Sequence, residues 1–125
     1  MKIIATDKAP AAIGPYSQGM IAGNLVYTSG QIPADPKTGM IAGDTIETQA
    51  EQSLQNVQAV LEAGGATMDS IVKTTCFLAD MADFAAFNAI YASHIKGAPA
   101  RSCVAVKTLP KNVLVEIEAI AEIVD

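Results

Sequence analysis

Apolar positions recur with a period near two in several stretches of the chain and near 3.6 in two others, and these periods lay out the elements. Ser17–Ala22 and Leu25–Ser29 read as strands on either side of Gly23-Asn24. That pair suits a tight hairpin, because glycine accepts the positive φ of a type II′ turn. Pro33, Pro36, Gly39 and Gly43 punctuate the following stretch as loop. Asp44 then offers a helix N-cap, with Glu47 three residues on in a capping-box position. Ile46, Ala50, Leu54, Val57 and Leu61 follow as one apolar stripe, with Gln49, Glu51, Gln52 and Gln55 off it, and Gly64-Gly65 ends the helix. Ser70–Ala79 is β-branched and apolar on both parities, the pattern of a central strand covered on both sides. Asp80 or Asp83 caps a second helix running to about Lys96, with Phe84, Phe87, Tyr91 and Ile95 as its buried face and Gly97 as its stop.

Two strands close the chain, Arg101–Lys107 and Val113–Ile123. In the last one, Val115, Ile117, Ala119, Ala121 and Ile123 share a face that reads as core. Leu114, Glu116, Glu118, Ile120 and Glu122 share the other, which is too apolar for plain solvent surface and too acidic for plain core. The order is two strands with room for a third, then helix, strand, helix and two strands. Two helices of this length cover one face of a sheet. The expected fold is α+β, with two helices packed on one face of a mixed, mostly antiparallel five- or six-stranded sheet. The sheet's open face is then buried by a partner.

Composition sharpens that expectation. A chain of 125 residues fits one domain, 1–125, with a core that needs no disulfide or metal. Half the residues are hydrophobic and the mean hydropathy is +0.30, with few aromatics and no Trp. Small side chains fill such a core, and subunit contacts bury the surplus. The net charge of −5, with no basic stripe, argues against a nucleic-acid partner. The N-terminal segment lacks a signal-peptide pattern and no apolar run reaches membrane-span length, so no membrane partner is expected and a cytoplasmic location is. Cys76 and Cys103 are not spaced as a metal pair, and His94, the one histidine, cannot supply the missing ligands. Both read as reduced thiols.

Arg101 is the only arginine and sits at the head of a mostly apolar strand. A guanidinium beside the Cys103/Ala105 face is partly desolvated and needs an anion, and its planar fork suits a carboxylate in a way lysine does not. That anion is either an internal glutamate, Glu116 or Glu118, or a small carboxylate ligand. Glu116 fits either the internal partner or a general base holding a water, and spacing does not separate the two. Cys103 has a cation nearby but no evident base, which disfavours covalent catalysis. GPYSQG and TSGQIP carry glycines for tight turns and close approach, without a phosphate-loop pattern, and their backbone N–H groups suit a second carboxylate oxygen or a carbonyl. Tyr16 either covers an aliphatic ligand or packs, and Asn88 lies one turn after Phe84 at the edge of the second helix's face.

APAAIGPYSQG, YTSGQIP, the NAIY piece of the second helix, PARSCVAV and LPKNVLVEIEAIA together resemble the signature blocks of the RidA (reactive intermediate deaminase A, YjgF-like) family, in order and spacing, across essentially the whole chain. The resemblance implies a chorismate-mutase-like fold and a homotrimer with clefts between subunits. It implies hydrolysis of reactive enamines and imines such as 2-aminoacrylate to 2-keto acids and ammonia, a metabolite damage-control role without metal or cofactor. It places Arg101 on the substrate carboxylate and Glu116 on the attacking water. Cys103 lines the pocket through its backbone, Ser29 and Gly30 hold ligand oxygens, Tyr16 closes the cleft and Asn88 borders it. YASHIKGAPARSC looks short for the family, with His94-Ile95 where an aromatic is common, a departure that bears on the cleft rim and not on Arg101. The same arginine would serve a non-catalytic, carboxylate-binding regulatory module. Ribonuclease activity is also attributed within the family, and the acidic charge argues against it here.

Overall fold

The computed structural model describes residues 1–125. The first hairpin joins β2 (Gly19–Ala22) to β3 (Leu25–Thr28) through Gly23 at φ +61°, the positive φ that the Gly-Asn pair predicts. The sequence order leaves room for a third strand after the hairpin, but the extra strand precedes it: β1 (Lys2–Ile4) pairs antiparallel with β2. Three residues with one buried side chain are too few to show a period.

Helix α1 (Ile46–Ala63) buries the whole apolar stripe, and Gly65 leaves it at φ +88°. Its cap differs from the Asp44 capping box. Thr45 is the N-cap, in extended conformation, and its hydroxyl accepts from Thr48 N–H at 3.2 Å. Two good capping types stand side by side, and the burial of Ile46 as first helical residue selects the second. Gln49 is also buried, against its placing off the stripe. Its amide donates to Gly43 O at 3.1 Å and accepts from Leu114 N–H at 2.8 Å, so it cross-ties a loop and a strand.

β4 (Ala66–Leu78) starts earlier than its pattern because a register irregularity near Ile71–Lys73 breaks the alternation. Asp80 caps a short 3₁₀ turn, Met81–Asp83, which leads into α2 (Phe84–His94). This helix stops at His94 rather than near Lys96, because Ile95 is already extended and buried. β5 (Ala100–Ala105) and β6 (Val115–Ile123) complete the chain, each shorter than its sequence run.

The sheet runs β1-β2-β3-β6-β4-β5. Every neighbouring pair is antiparallel except β4–β5, which are parallel across α2. This is the α+β architecture expected, mixed and six-stranded. Both helices lie on one face. Leu54, Val57, Val60, Leu61 and Phe87 from the helices, and Val26, Cys76, Leu78, Val115 and Ile117 from the strands, are all fully buried in one core. Each such aliphatic contributes about 1.5–3 kcal/mol over leaving it in water.

No helix covers the other face. Register partners share a face, so Met20, Tyr27 and Ile120 stand together there, as do Val104, Phe77 and Glu116. β4 is therefore interior to the sheet but covered on one side only, where its apolar parities suggest two. No helix is long and apolar enough to cross a membrane.

Candidate active site

Arg101 lies at the start of β5 and points to the helix side of the sheet. Its register partner is Thr74 on β4, and Thr74 is paired in turn with Ala119 of β6, both buried. The guanidinium meets α2 there. Nη1 donates to Asn88 Oδ1 at 2.7 Å, and Cζ lies 4.8 Å from the Tyr91 ring centroid and 5.5 Å from that of Phe84. No carboxylate of the chain pairs with it, since the one ion pair present joins His94 to Glu51 at 2.8 Å. The internal salt bridge to Glu116 or Glu118 is thus not formed. A half-buried guanidinium held by an amide and two rings keeps further N–H donors for an anion from outside.

Cys103 is next on the same face, beside Cys76. Burial pushes its thiol up, against the pull of Arg101, so the sulfur is a protonated wall and not a thiolate. Burial, with Cys103 adding, pushes Cys76 up to about 12. The Cys103 backbone matters more. Val106 N–H donates to Leu78 O at 2.9 Å, so alternation turns the N–H of Cys103 away from β4, out of the sheet's edge, on the strand that carries Arg101. A groove of about 560 Å³ opens here, lined by Asn88, Tyr91, Lys96, Ala98, Pro99 and Arg101. Of the His94-Ile95 segment, Ile95 lines it as well. His94 is tied to Glu51 of α1, Ile95 is buried, and Ala98 takes φ +48°, strained for a non-glycine residue.

Glu116 lies on the opposite face. Its register partner Phe77 alternates with Cys76, so its carboxylate points away from the helices and from Arg101. Burial first, then Glu118, pushes its carboxyl above the usual carboxylate range. Gly30 packs directly on it, and a Cβ at position 30 would overlap the carboxylate. The Gln31–Ile117 pair, with Gln31 N–H to Ile117 O at 2.7 Å and the reverse bond at 3.1 Å, holds the two segments together. Ser29 spends both donors inside the chain, N–H to Gln18 O at 2.8 Å and hydroxyl to Ser17 O at 2.6 Å. Of that pair only Gly30 has an N–H without an acceptor in the chain, so Ser29 serves as its support. Tyr16 is more than half exposed and lines, with Gly30, a second groove of about 560 Å³.

The residues expected at one site therefore form two clusters on opposite sides of one sheet. Arg101, Asn88 and Cys103 make the first; Tyr16, Gly30 with Ser29, and Glu116 make the second. Sequence reasoning missed Tyr91, Phe84 and Thr74 as neighbours of the guanidinium. The signal was present, because Phe84, Asn88 and Tyr91 fall at i, i+4 and i+7 on one helix face.

The comparisons with known proteins agree with this architecture. The family described as Endoribonuclease L-PSP matches residues 6–123. A Salmonella typhimurium protein named 2-iminobutanoate/2-iminopropanoate deaminase is 57% identical over 124 residues, covering 96% of each chain. A Lactococcus lactis protein whose name proposes a regulator, AldR, is also 57% identical over 124 residues, covering 98% of each. Escherichia coli TdcF, solved with bound serine, superposes with a TM-score of 0.92 at 49% identity, covering 98% of each chain. With its profile matched almost end to end and relatives this similar over their full length, the chain belongs to the Endoribonuclease L-PSP (YjgF/RidA) family.

Proposed function

We propose that the protein hydrolyses 2-imino acids and their enamine tautomers to 2-keto acids and ammonia, in a homotrimer whose active sites lie between subunits. The observation that carries this reading is the split site. Arg101 carries an unneutralised charge on one face, and Glu116 carries an unpaired, partly desolvated carboxylate on the other. In one chain they cannot act on one small molecule. Between two copies, the open apolar face and its Glu116 cluster can meet the β5 edge of a neighbour. Arg101 and the Cys103 N–H of one subunit then hold the substrate carboxylate. Glu116 of the next orients a water beside the Gly30 N–H, with Tyr16 closing the groove.

The chemistry asks little more. An imine carbon is already electrophilic, so the attacking water needs orienting rather than strong activation. Glu116 accepts a proton as water adds to C2, and its raised pKa keeps it a competent acid for returning that proton to nitrogen. The hydroxyl proton of the resulting carbinolamine then passes by way of Glu116 to nitrogen, the C2–N bond breaks, ammonia leaves and the carbonyl forms. The deaminase names of close relatives and the serine in TdcF, itself a carboxylate with an α-nitrogen, support this substrate class. A regulatory binder would gain nothing from a carboxylate beside a carboxylate ligand. An RNA substrate is disfavoured by the net charge of −5.

The test has two arms. A serine/threonine dehydratase generates 2-aminoacrylate with a trapping amine present, and keto-acid release is followed. Wild type should accelerate release, and Arg101→Ala and Glu116→Gln should not. The two inactive variants are then unfolded, mixed in equal amounts and refolded together. Each site draws its halves from two chains, so about one quarter of wild-type activity should return. No acceleration by wild type would overturn the deaminase reading. No recovery on mixing would overturn the intersubunit site.

A further inference from the structure

The guanidinium of Arg101 is positioned by residues that take no part in the reaction as proposed above. Thr74 is its register partner across β4–β5, on the same face and fully buried. The Thr74 hydroxyl lies 2.7 Å from the Tyr91 hydroxyl, a buried bond between sheet and helix. The Tyr91 ring stands 4.8 Å from Arg101 Cζ, and Phe87 packs on that ring at 5.7 Å and 51°. Asn88, one turn before on α2, accepts from Nη1. These contacts close a loop, from Arg101 along the strand register to Thr74, through the hydroxyl pair to Tyr91, and back to Arg101 by the ring face.

Each member has a cost that the loop explains. A threonine inside a sheet core buries a hydroxyl where valine would fit, and that hydroxyl needs a partner. Tyr91 is 8% exposed, and its hydroxyl has the same need. Burial holds the phenol neutral at ordinary pH, so it offers the guanidinium a ring face and not a counter-charge. A carboxylate here would occupy Arg101. A neutral ring steadies it and leaves its donors free.

We propose that Thr74 and Tyr91 are positioning residues for the carboxylate clamp: the Thr74–Tyr91 hydroxyl bond fixes the ring, and the ring fixes the plane in which Arg101 presents its free N–H donors to the substrate. This rests on Arg101 being the clamp. It sets the affinity for the carboxylate and leaves the hydrolytic step alone.

The decisive variant is the double substitution Thr74→Val with Tyr91→Phe. It removes both hydroxyls of the pair together, keeps shape and ring, and costs only the weak contact of the Cys76 thiol with Thr74, so most of the stability is retained. Tyr91→Leu removes the ring itself, and Thr74→Ser restores a hydroxyl as the conservative control. Steady-state kinetics on 2-iminopropanoate, calorimetric binding of 2-oxobutanoate and melting temperature are measured for each, with Arg101→Ala alongside. The double variant should raise KM and the keto-acid Kd about threefold to tenfold, and Tyr91→Leu about tenfold to thirtyfold, with kcat within twofold of wild type. Thr74→Ser should lie near wild type. If Arg101→Ala loses keto-acid binding while the double variant, folded, binds within twofold of wild type, the positioning role is refuted and the clamp stands. A fall in kcat at unchanged KM and Kd also refutes it, since that is the mark of a structural role. If Arg101→Ala binds the keto acid as wild type does, the clamp itself fails and the positioning role with it.

Discussion

Gly30→Ala separates the fold from the chemistry. A Cβ at position 30 would stand 2.8 Å from the Glu116 carboxyl carbon and 3.1 Å from its Cγ, and would overlap one carboxylate oxygen. Ordinary carbon contacts begin near 3.5 Å, so the carboxyl group must retreat by at least about half an ångström, and its oxygens by more. It can do so, because the atoms that the new Cβ meets all belong to the free end of the Glu116 side chain and none to backbone. Position 30 is not among the positive-φ residues, so alanine meets no backbone strain, and its lower unfolded-state entropy offsets some of the crowding. The melting temperature should stay within a few degrees of wild type. Displacing a catalytic group by about 1 Å costs about 100-fold, so kcat for imine hydrolysis should fall by tens to a hundredfold. Binding of 2-oxobutanoate should be kept, because the Gly30 N–H and Arg101 both remain. Gly19→Ala is the control. There the Cβ meets Tyr27 O at 2.9 Å and Val60 Cγ1 at 2.8 Å, backbone and core, which costs about 1–3 kcal/mol of stability without touching Glu116. A folded Gly30→Ala protein with kcat within threefold of wild type would refute the placing of the water at Glu116. So would a loss of activity that merely tracks a fall in melting temperature.

Arg101→Lys keeps the charge but loses the fork and its directed bond to Asn88, so KM should rise about tenfold to a hundredfold with kcat little changed in steady-state assays. In the proposed mechanism Glu116 is ionised when it holds the water as a base, and burial and Glu118 raise its pKa above 4.5. A pH–rate profile should therefore lose activity as pH falls through that raised value. Glu118→Gln should move the limb down and Glu116→Gln should abolish it. The same raised pKa means that ionising Glu116 costs the folded state stability as pH climbs above 4.5, so Glu116→Gln should melt higher than wild type at neutral pH and match it in acid. Glu51 has the opposite sign. His94 first, then Gln55, lowers its pKa below 4.5, so its stabilising effect is present above that value and lost as pH falls through the lowered one. Melting curves of wild type and Glu51→Gln should differ slightly at neutral pH and converge in acid, the small size following from the exposure of the pair.

The α1 stripe and the alternation of β6 were legible because long elements repeat their period enough times to fix which side is buried. β1 was not, since three residues carry no period. The Asp44–Thr45 choice turned on one residue, and only the burial of Ile46 decides it. The lone arginine announced itself by its rarity. What no pattern along the chain could give was the relation of Arg101 to Glu116. Parity assigns faces within one strand, but relating two strands needs their register. That register pairs Arg101 with Thr74 and Phe77 with Glu116, one residue class apart on β4. The cage around the guanidinium was half legible. Phe84, Asn88 and Tyr91 share a stripe in the sequence, but a stripe of aromatics reads as core until a cation is found against it.

The opposed placement of the two charged groups has its own logic. On one face, Arg101 and Glu116 would have closed on each other, and each would have cancelled the other's use. Kept apart by the thickness of the sheet, the guanidinium retains its free donors and the carboxylate its raised pKa. Neither finds an opposite charge within its own chain. The open sheet face supplies the means of bringing them together across a boundary, because its exposed Tyr27 and Val104 favour burial against a second copy. In the proposed assembly a clamp stands opposite a base with a gap between them. A molecule that fills the gap must offer a carboxylate to Arg101 and an electrophilic carbon to a water on Glu116, the pair of features that a 2-imino acid carries. On the proposed reading, apolar association of the chain creates the polar site, and a variant that weakens the open face, such as Val104→Lys, should lose imine hydrolysis in step with the proposed trimer in sedimentation while each chain keeps its fold.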